Sequence, residues 1–270
     1  MNVHAPAPPR GVAAFAATRA GGVPLPVLAA IAVAWAVSIA AEASGVGAHL
    51  HHDALLAHGA PPLIGVLGFL IAWQLMIAAM MLPSSLPLVG MFAAATAALP
   101  DRRRTLAAFL GSYAVVWLAF GALAFAGDAG LHALVNSSAW LREHDWAIGP
   151  SALLLAGAFQ FSSLKDACLK ACRHPASFLH RHYRRGTGGA FALGLRHGAF
   201  CVGCCWALML VMFAAGVASL IWMALLTALM VHEKTRPAGA RTVPITGAVL
   251  LALGSTLFLW GAYAAGVGGA

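Results

Sequence analysis

Residues 196–212 have the sequence RHGAFCVGCCWALMLVM, an apolar run of the kind that forms a membrane helix. The run carries three of the chain's five cysteines. On an α-helix, residues three and four apart lie on one face. His197 and Cys201 therefore share a stripe along one side of the predicted helix. Either Cys204 or Cys205 continues it.

The side chains on this stripe favour a soft metal ion. Met209 and Met212 extend the stripe, so it presents imidazole, thiol and thioether groups in turn. Such ligands suit copper(I) or zinc. Plain packing is the alternative, because a free cysteine behaves as a small buried hydrophobe and methionine fills irregular gaps. Three cysteines preceded by a histidine on the same face favour metal or thiol chemistry over packing.

The composition indicates a membrane protein. Of the 270 residues, 61% are hydrophobic and only 9% are charged, and the mean hydropathy is +0.84. A water-soluble fold of this size could not bury so much apolar surface. Long apolar segments recur along the chain, each near the roughly 20 residues that cross a bilayer. The sequence therefore predicts an all-α, polytopic transmembrane helical bundle in the lipid bilayer of the bacterial inner (plasma) membrane.

Seven apolar segments predict about seven spans within a single transmembrane helical domain, residues 24–265. The spans are expected at 24–44, 62–99, 105–127, from about 150 into 159–175, 191–215, 218–232 and 243–263, with a loop at 128–149. Residues 1–23, rich in Pro, Ala and Gly, are expected to form a flexible cytoplasmic tail. Residues 41–43 resemble a signal-peptidase site, but the apolar core exceeds the usual 7–15 residues, so a retained first helix is preferred.

The basic residues give the orientation. With seven spans and the N-terminus inside, all but Arg142 of the 16 lysines and arginines lie on the inner side. The positive-inside rule therefore predicts a cytoplasmic N-terminus and an extracytoplasmic C-terminus. Since the net charge of +8 lies in short loops between spans, nucleic acid is not an expected partner. An odd number of cysteines excludes a complete set of internal disulfides and favours reduced, cytoplasmic-side thiols.

Two further features are consistent either with metal binding or with an ordinary structural role. Pro83 and Pro87 interrupt the second apolar segment close to Met80, which predicts a kinked or broken helix. Broken helices often mark transport sites, but an ordinary proline kink fits the same residues. A histidine-rich stretch suits metal binding or a polar loop, and its residues are His49, His51, His52, Asp53 and His58.

Topology brings the cysteines of two spans to the same depth. Cys168 and Cys172 end the fourth span at i and i+4, and the stripe of the fifth span begins on the same side. Helices joined by a short loop usually pack as antiparallel neighbours. No catalytic or cofactor-binding residues are predicted. The sequence predicts a metal site near the cytoplasmic face, made by Cys168, Cys172, His197, Cys201, Cys204, Cys205, Met209 and Met80.

Several of these segments together resemble a known family. Residues 159–175 and 198–212, with 76–84 and the pair Glu233-Lys234, are similar to an uncharacterised bacterial family of predicted metal-binding integral membrane proteins with CxxxC and CxGCC motifs. The resemblance covers most of residues 60–235. It implies that all five cysteines match the family's pattern, but it implies no reaction. Ser163 stands where the family favours proline, which bears only on the local helix shape.

Two classes of function follow. The first is a membrane protein that handles a soft metal by transport, delivery or homeostasis, with a metal-accepting or metal-donating protein as a further partner. Copper(I) is favoured over zinc or iron because thioethers, as at Met80 and Met209, are not zinc ligands. The second is a membrane thiol-disulfide oxidoreductase that uses Cys201 and Cys204. It ranks lower because such pairs usually work at a helix N-terminus. An enzymatic copper or iron centre is a third, weaker option, so a non-enzymatic role is preferred.

Overall fold

The computed structural model describes residues 22–44, 62–215 and 219–268. In these ranges the chain is helical and has no strand, so the all-α prediction is confirmed there. The histidine-rich stretch at 49–58 and residues 1–21 of the predicted tail lie outside the described residues. The helices are α1 (Leu25–Ala43), α2 (Pro62–Ala95), α3 (Arg102–Ser137), α4 (Ala139–Glu143), α5 (Ile148–Phe159), α6 (Ser163–Arg173), α7 (Pro175–His182), α8 (Gly186–Ala215), α9 (Leu220–Thr235) and α10 (Gly239–Gly268), with a 3₁₀ helix (Asp145–Ala147) before α5.

Among the described helices, five are long and apolar enough to cross a membrane, namely α1, α2, α3, α8 and α10. The pair α5 and α6 adds a sixth candidate if its two parts form one span, bent by 66°. α9 covers the remaining predicted span with 16 residues. That is about 24 Å of helix against a hydrocarbon core of roughly 30 Å. Each predicted span thus has a helix, and the count of seven and the orientation stay predictions.

The bend between α5 and α6 was not expected from the sequence, which predicted one span into residues 159–175. α6 starts anew because Ser162 caps it, and its Oγ accepts a hydrogen bond from the Lys165 N–H at 3.1 Å. α6 also has the sequence SLKDACLKACR, in which charged residues alternate with apolar ones, whereas α5 is apolar. The bend lays this amphipathic helix against α8.

The predicted loop at 128–149 is also largely helical. α3 continues to Ser137, and α4 begins directly after Ser138, whose Oγ accepts a hydrogen bond from the Leu141 N–H at 3.4 Å. The 3₁₀ turn then leads into α5. This stretch is too polar for apolar residues to recur at helical spacing, so the sequence pattern did not predict a helix here.

α2 runs without interruption through Pro83 and Pro87. Proline has no N–H, so Pro83 leaves the carbonyl oxygen of Ala79 without its usual helical donor. The indole N–H of Trp35 in α1 donates to that oxygen at 3.0 Å. A neighbouring helix thereby satisfies the backbone group that the proline frees, as an apolar interior requires. The helix is therefore unbroken at the two prolines, so the predicted break is wrong and a kink stays a prediction.

α8 is the central helix of the described residues. It packs most extensively against α3, and also against α5 and α6. A Cβ added to Gly198 would lie 2.8 Å from the Cβ of Val116 in α3, and one added to Gly194 would clash with Ser112. Small residues at this spacing let helix backbones approach closely in apolar surroundings. The next turns of α8 carry the cysteines, so this packing also sets where the thiols lie.

We expect Trp35→Phe to lower the free energy of unfolding by about 1–2 kcal/mol, because a buried carbonyl loses its donor. In a Pro83→Ala background the loss should be smaller, since the new backbone N–H at position 83 can bond the Ala79 carbonyl. Unfolding of the four proteins in detergent measures both effects. Equal losses in the two backgrounds would mean that Trp35 acts through packing alone.

Candidate metal centre

Thiols from two helices lie together where α6 meets α8. Cys204 and Cys205 are buried on α8, and their sulfur atoms are 3.3 Å apart. The Sγ of Cys172, on α6, lies 3.9 Å from the Sγ of Cys204. Cys201, one turn before Cys205, is buried as well, and all five cysteines are free thiols. We refer to these four residues (Cys172, Cys201, Cys204 and Cys205) as the thiol cluster.

Cys168 shares a face of α6 with Cys172 but meets a different part of α8. It is buried, and a Cβ added to Gly203 would lie 2.5 Å from its sulfur. Gly203 is two residues beyond Cys201, which places it on nearly the opposite side of the helix from that thiol. Cys168 therefore faces the backbone of α8 at Gly203, away from Cys201.

Cys201 is held by two side chains that were not predicted as site residues. The ammonium group of Lys234 donates to the Cys201 sulfur at 3.2 Å and to the Ser84 Oγ at 3.0 Å. The hydroxyl group of Tyr113 lies 3.3 Å from the same sulfur. All four side chains are buried. α3 and α9 thus each contribute one polar group to a single thiol of α8, and α2 contributes the serine that Lys234 also contacts.

His197 reaches the thiol cluster through intervening hydroxyl groups. Its Nε2 lies 3.1 Å from the Ser85 Oγ, and the Ser85 hydroxyl donates to the Tyr113 hydroxyl at 3.4 Å. Tyr113 in turn contacts Cys201. The ring of His197 also stacks on that of Tyr113, with centroids 5.3 Å apart. The predicted ligand His197 therefore stands at the end of a buried hydrogen-bonded chain that leads to the cluster.

The methionines of the predicted site are buried in the same apolar core as the cysteines. Met80, Met209 and Met212 are each 0% exposed. Their thioethers add soft donors to the interior around the thiols. Buried methionine also fills space well, so burial alone does not make these residues ligands.

The spacing of the thiol cluster is close to what a metal ion requires. Metal–thiolate bonds of about 2.3 Å place two sulfurs of one ion roughly 3.8–4.6 Å apart. The 3.9 Å between Cys172 and Cys204 lies in that range, whereas the 3.3 Å between Cys204 and Cys205 is shorter. Within the described ranges, no three His, Cys, Asp or Glu side chains already surround one ion position. Binding an ion with three thiols would require a thiol to rotate about its single side-chain torsion.

The part of the chain that holds this centre matches a known family. A family model described as PpoB2, copper chaperone, matches residues 70–257. This match covers well over half of the chain and includes every site residue named above. The chain belongs to the PpoB2 copper chaperone family. This membership agrees with the expected metal-binding family only in that the matched family is copper-related. No curated protein and no solved structure matches the chain.

In this member of the family, a buried ion pair joins α6 to α9 beside the thiols. The Nζ of Lys165 donates to the Oε2 of Glu233 at 2.7 Å, with the two side chains 1% and 2% exposed. Arg173 donates to the backbone carbonyl of Glu233 and to that of Pro237. These contacts hold the end of α9 where Lys234 reaches the cluster. An ionisable residue in an apolar helix is a functional candidate by default, and that signal could have identified Glu233 and Lys234 of α9 from the sequence.

Breaking this ion pair should destabilise the fold strongly. We expect Lys165→Met or Glu233→Leu alone to cost about 3–5 kcal/mol, because each leaves one buried charge unpaired. The double variant should recover most of that loss, since no buried charge remains. Unfolding measurements on the three variants in detergent test this. Additive losses in the double variant would contradict the pairing.

Proposed function

We propose that this protein handles copper(I) as cargo: it binds the ion at the thiol cluster and hands it to a partner protein. The observation that carries the proposal is the meeting of the Cys172 and Cys204 sulfurs from two helices, at a separation of 3.9 Å. Membership of a family described as copper chaperones supports copper as the cargo. The role is binding and delivery, and it requires no enzymatic step.

The donor chemistry supports copper(I) over zinc or iron. Thiolates bind each of these metals, but methionine thioethers select softer ions and are not zinc ligands. Met80 and Met209 are buried in the same core as the cysteines. We propose the thiol cluster as the primary site, with these two thioethers, His197 and Cys168 as the further predicted ligands.

Cys172 offers the cargo a way into and out of the cluster. The three cysteines of α8 are buried, whereas Cys172 is partly exposed on α6. The amphipathic character of α6 suits a surface met by another protein. An accessible thiol can exchange with the ligands of a partner before the buried thiols do. We therefore propose that Cys172 receives or releases the ion.

Transport across the membrane would need ligands beyond the thiols. Met76, Met80, Met209 and Met212 are buried in the core that contains the cluster. Thioethers bind copper(I) without first losing a proton, which suits an apolar passage. Delivery to a partner needs no such passage, and the family description favours delivery.

We place the protein in the bacterial inner membrane, with the cluster near the cytoplasmic face. The five long apolar helices among the described residues support a multi-pass arrangement. The distribution of lysine and arginine supports the orientation. In this orientation the exposed part of α6 meets cytoplasmic metal donors or acceptors.

Purified protein in detergent should compete with a chromophoric chelator for copper(I). Cys204→Ser and Cys172→Ser should each weaken copper(I) binding by at least about tenfold, because losing a residue that only supports a metal ligand already lowers affinity by that much. Serine is nearly isosteric with cysteine but provides no thiolate, so the fold should tolerate the change.

Cys168→Ser is the matched control, because it makes the same change on the same helix at a sulfur that faces Gly203. Its effect on affinity should be smaller than that of Cys172→Ser. An equal loss would add Cys168 to the primary ligands. Wild-type affinity in a variant with all five cysteines replaced by serine would overturn the proposed function.

The thiol-disulfide oxidoreductase alternative is less well supported. It requires Cys201 and Cys204 to act as a redox pair. The thiol of Cys204 instead donates to the backbone carbonyl of Cys201 at 3.2 Å, and the sulfur of Cys201 faces Lys234. Reactive pairs also favour exposed helix N-termini, whereas both of these residues are buried within α8.

The proposed orientation can be tested with a membrane-impermeant thiol reagent. Arg184→Cys should be labelled only when the cytoplasmic side is accessible, because Arg184 is an exposed residue of the predicted inner surface. Ser137→Cys, exposed on the predicted outer side, should show the reverse pattern. Labelling is compared with the parent protein in intact cells and in inverted vesicles. Labelling of both positions from the same side would contradict the seven-span arrangement.

A further inference from the structure

Lys234 is a buried cation that faces sulfur. Its side chain is 5% exposed, and its ammonium group donates to the Cys201 Sγ at 3.2 Å and to the Ser84 Oγ at 3.0 Å. The other buried lysine, Lys165, is neutralised by Glu233. Among the described residues, no carboxylate lies within ion-pair distance of Lys234. Its positive charge can therefore be balanced only by the groups around the thiol cluster.

A buried charge without a counter-charge is costly in an apolar interior. The serine hydroxyl that Lys234 contacts is neutral and supplies a hydrogen bond only. Cysteine, in contrast, becomes an anion when it binds a metal, because the thiolate is the ligand form. Lys234 already contacts one of the sulfurs of the thiol cluster, that of Cys201. It is thus placed to meet a negative charge that arises on sulfur.

We propose that Lys234 is the built-in counter-cation of an anionic copper(I)–dithiolate complex in which Cys201 is one of the two thiolates. The Cys172–Cys204 pair provides the other thiolate, and the second sulfur of that pair binds as a neutral thiol. This inference rests on the proposed function. Copper(I) carries a single positive charge and two thiolates carry two negative ones, so the complex has one net negative charge. The ammonium group of Lys234 brings the buried site to neutrality.

The same charge balance limits the ligand set. A third thiolate would leave a negative charge uncompensated, so any further sulfur donor must be neutral. Buried thioethers such as Met209 meet that condition. The ion pair of Lys165 and Glu233 holds the end of α9 and so keeps Lys234 beside the complex. Lys234 is therefore a positioning and charge-balancing residue and not itself a ligand.

The test is copper(I) affinity of the full-length protein in detergent, measured by competition with a chromophoric chelator. Lys234→Met, which keeps the length of the side chain without its charge, should weaken binding by at least about tenfold. Lys234→Gln, which keeps hydrogen bonding to Ser84, should weaken it similarly. Lys234→Arg keeps the charge and should retain most of the affinity. Rescue by arginine but not by glutamine separates charge from hydrogen bonding and packing.

Lys170→Met is the matched control, because it removes a lysine charge whose side chain is 68% exposed on α6. Its affinity should equal that of the wild type. The melting temperature of each metal-free variant is measured alongside, so that a loss of binding is scored only in folded protein. If Lys234→Met does not fold, Lys234→Gln takes its place in the comparison.

A double-mutant cycle tests the link to Cys201. In a Cys201→Ser background, Lys234→Met should cause little further loss, since the partner thiolate is already gone. A full additional loss would overturn the pairing with Cys201. If the wild type binds copper(I) and folded Lys234→Met binds it equally well or more tightly, Lys234 is not the counter-cation. The proposed function would then remain intact. Absence of binding by the wild type would instead overturn the proposed function itself.

Discussion

An apolar helical interior offers polar groups no water, so each must find its partner within the protein. The indole of Trp35 in α1 serves a carbonyl that a proline frees in α2. Lys165 of α6 and Glu233 of α9 neutralise each other, and Lys234 of α9 lies against a thiol of α8. Each contact joins two different helices. The polar groups that would be costly alone therefore act as cross-links that set how the helices lie around the thiols.

The bend of 66° between α5 and α6 has the largest consequence for the centre. The capped restart at Ser163 sets the direction in which α6 lies against α8. Cys172 then meets Cys204, while Cys168, one turn earlier, meets the backbone at Gly203. A local break in one span thus assembles a cluster from two helices.

Thiols alone do not distinguish a metal centre from a redox pair or from core packing. The positive charge beside one of them speaks against core packing, because a thiolate arises in both chemical roles and not in packing. A neutral packed thiol has no need of a buried lysine, whereas an anionic metal–thiolate complex does. Lys234 contacts the Cys201 sulfur at 3.2 Å, and the chain belongs to a family of copper chaperones. These two observations support the proposal that the cargo is a monovalent soft ion.

The sequence by itself determined the all-α class, most helix positions and the set of soft donors, because apolar periodicity and residue spacing are local properties of a helix. It did not place the bend before Ser163 or the helices at 128–149. Nor did it reveal that the His197 ring contacts the Ser85 hydroxyl, or that Lys234 contacts Cys201, 33 residues away in the chain. Only the tertiary structure decided these contacts, because they depend on how each helix is rotated and packed against helices that are distant in sequence.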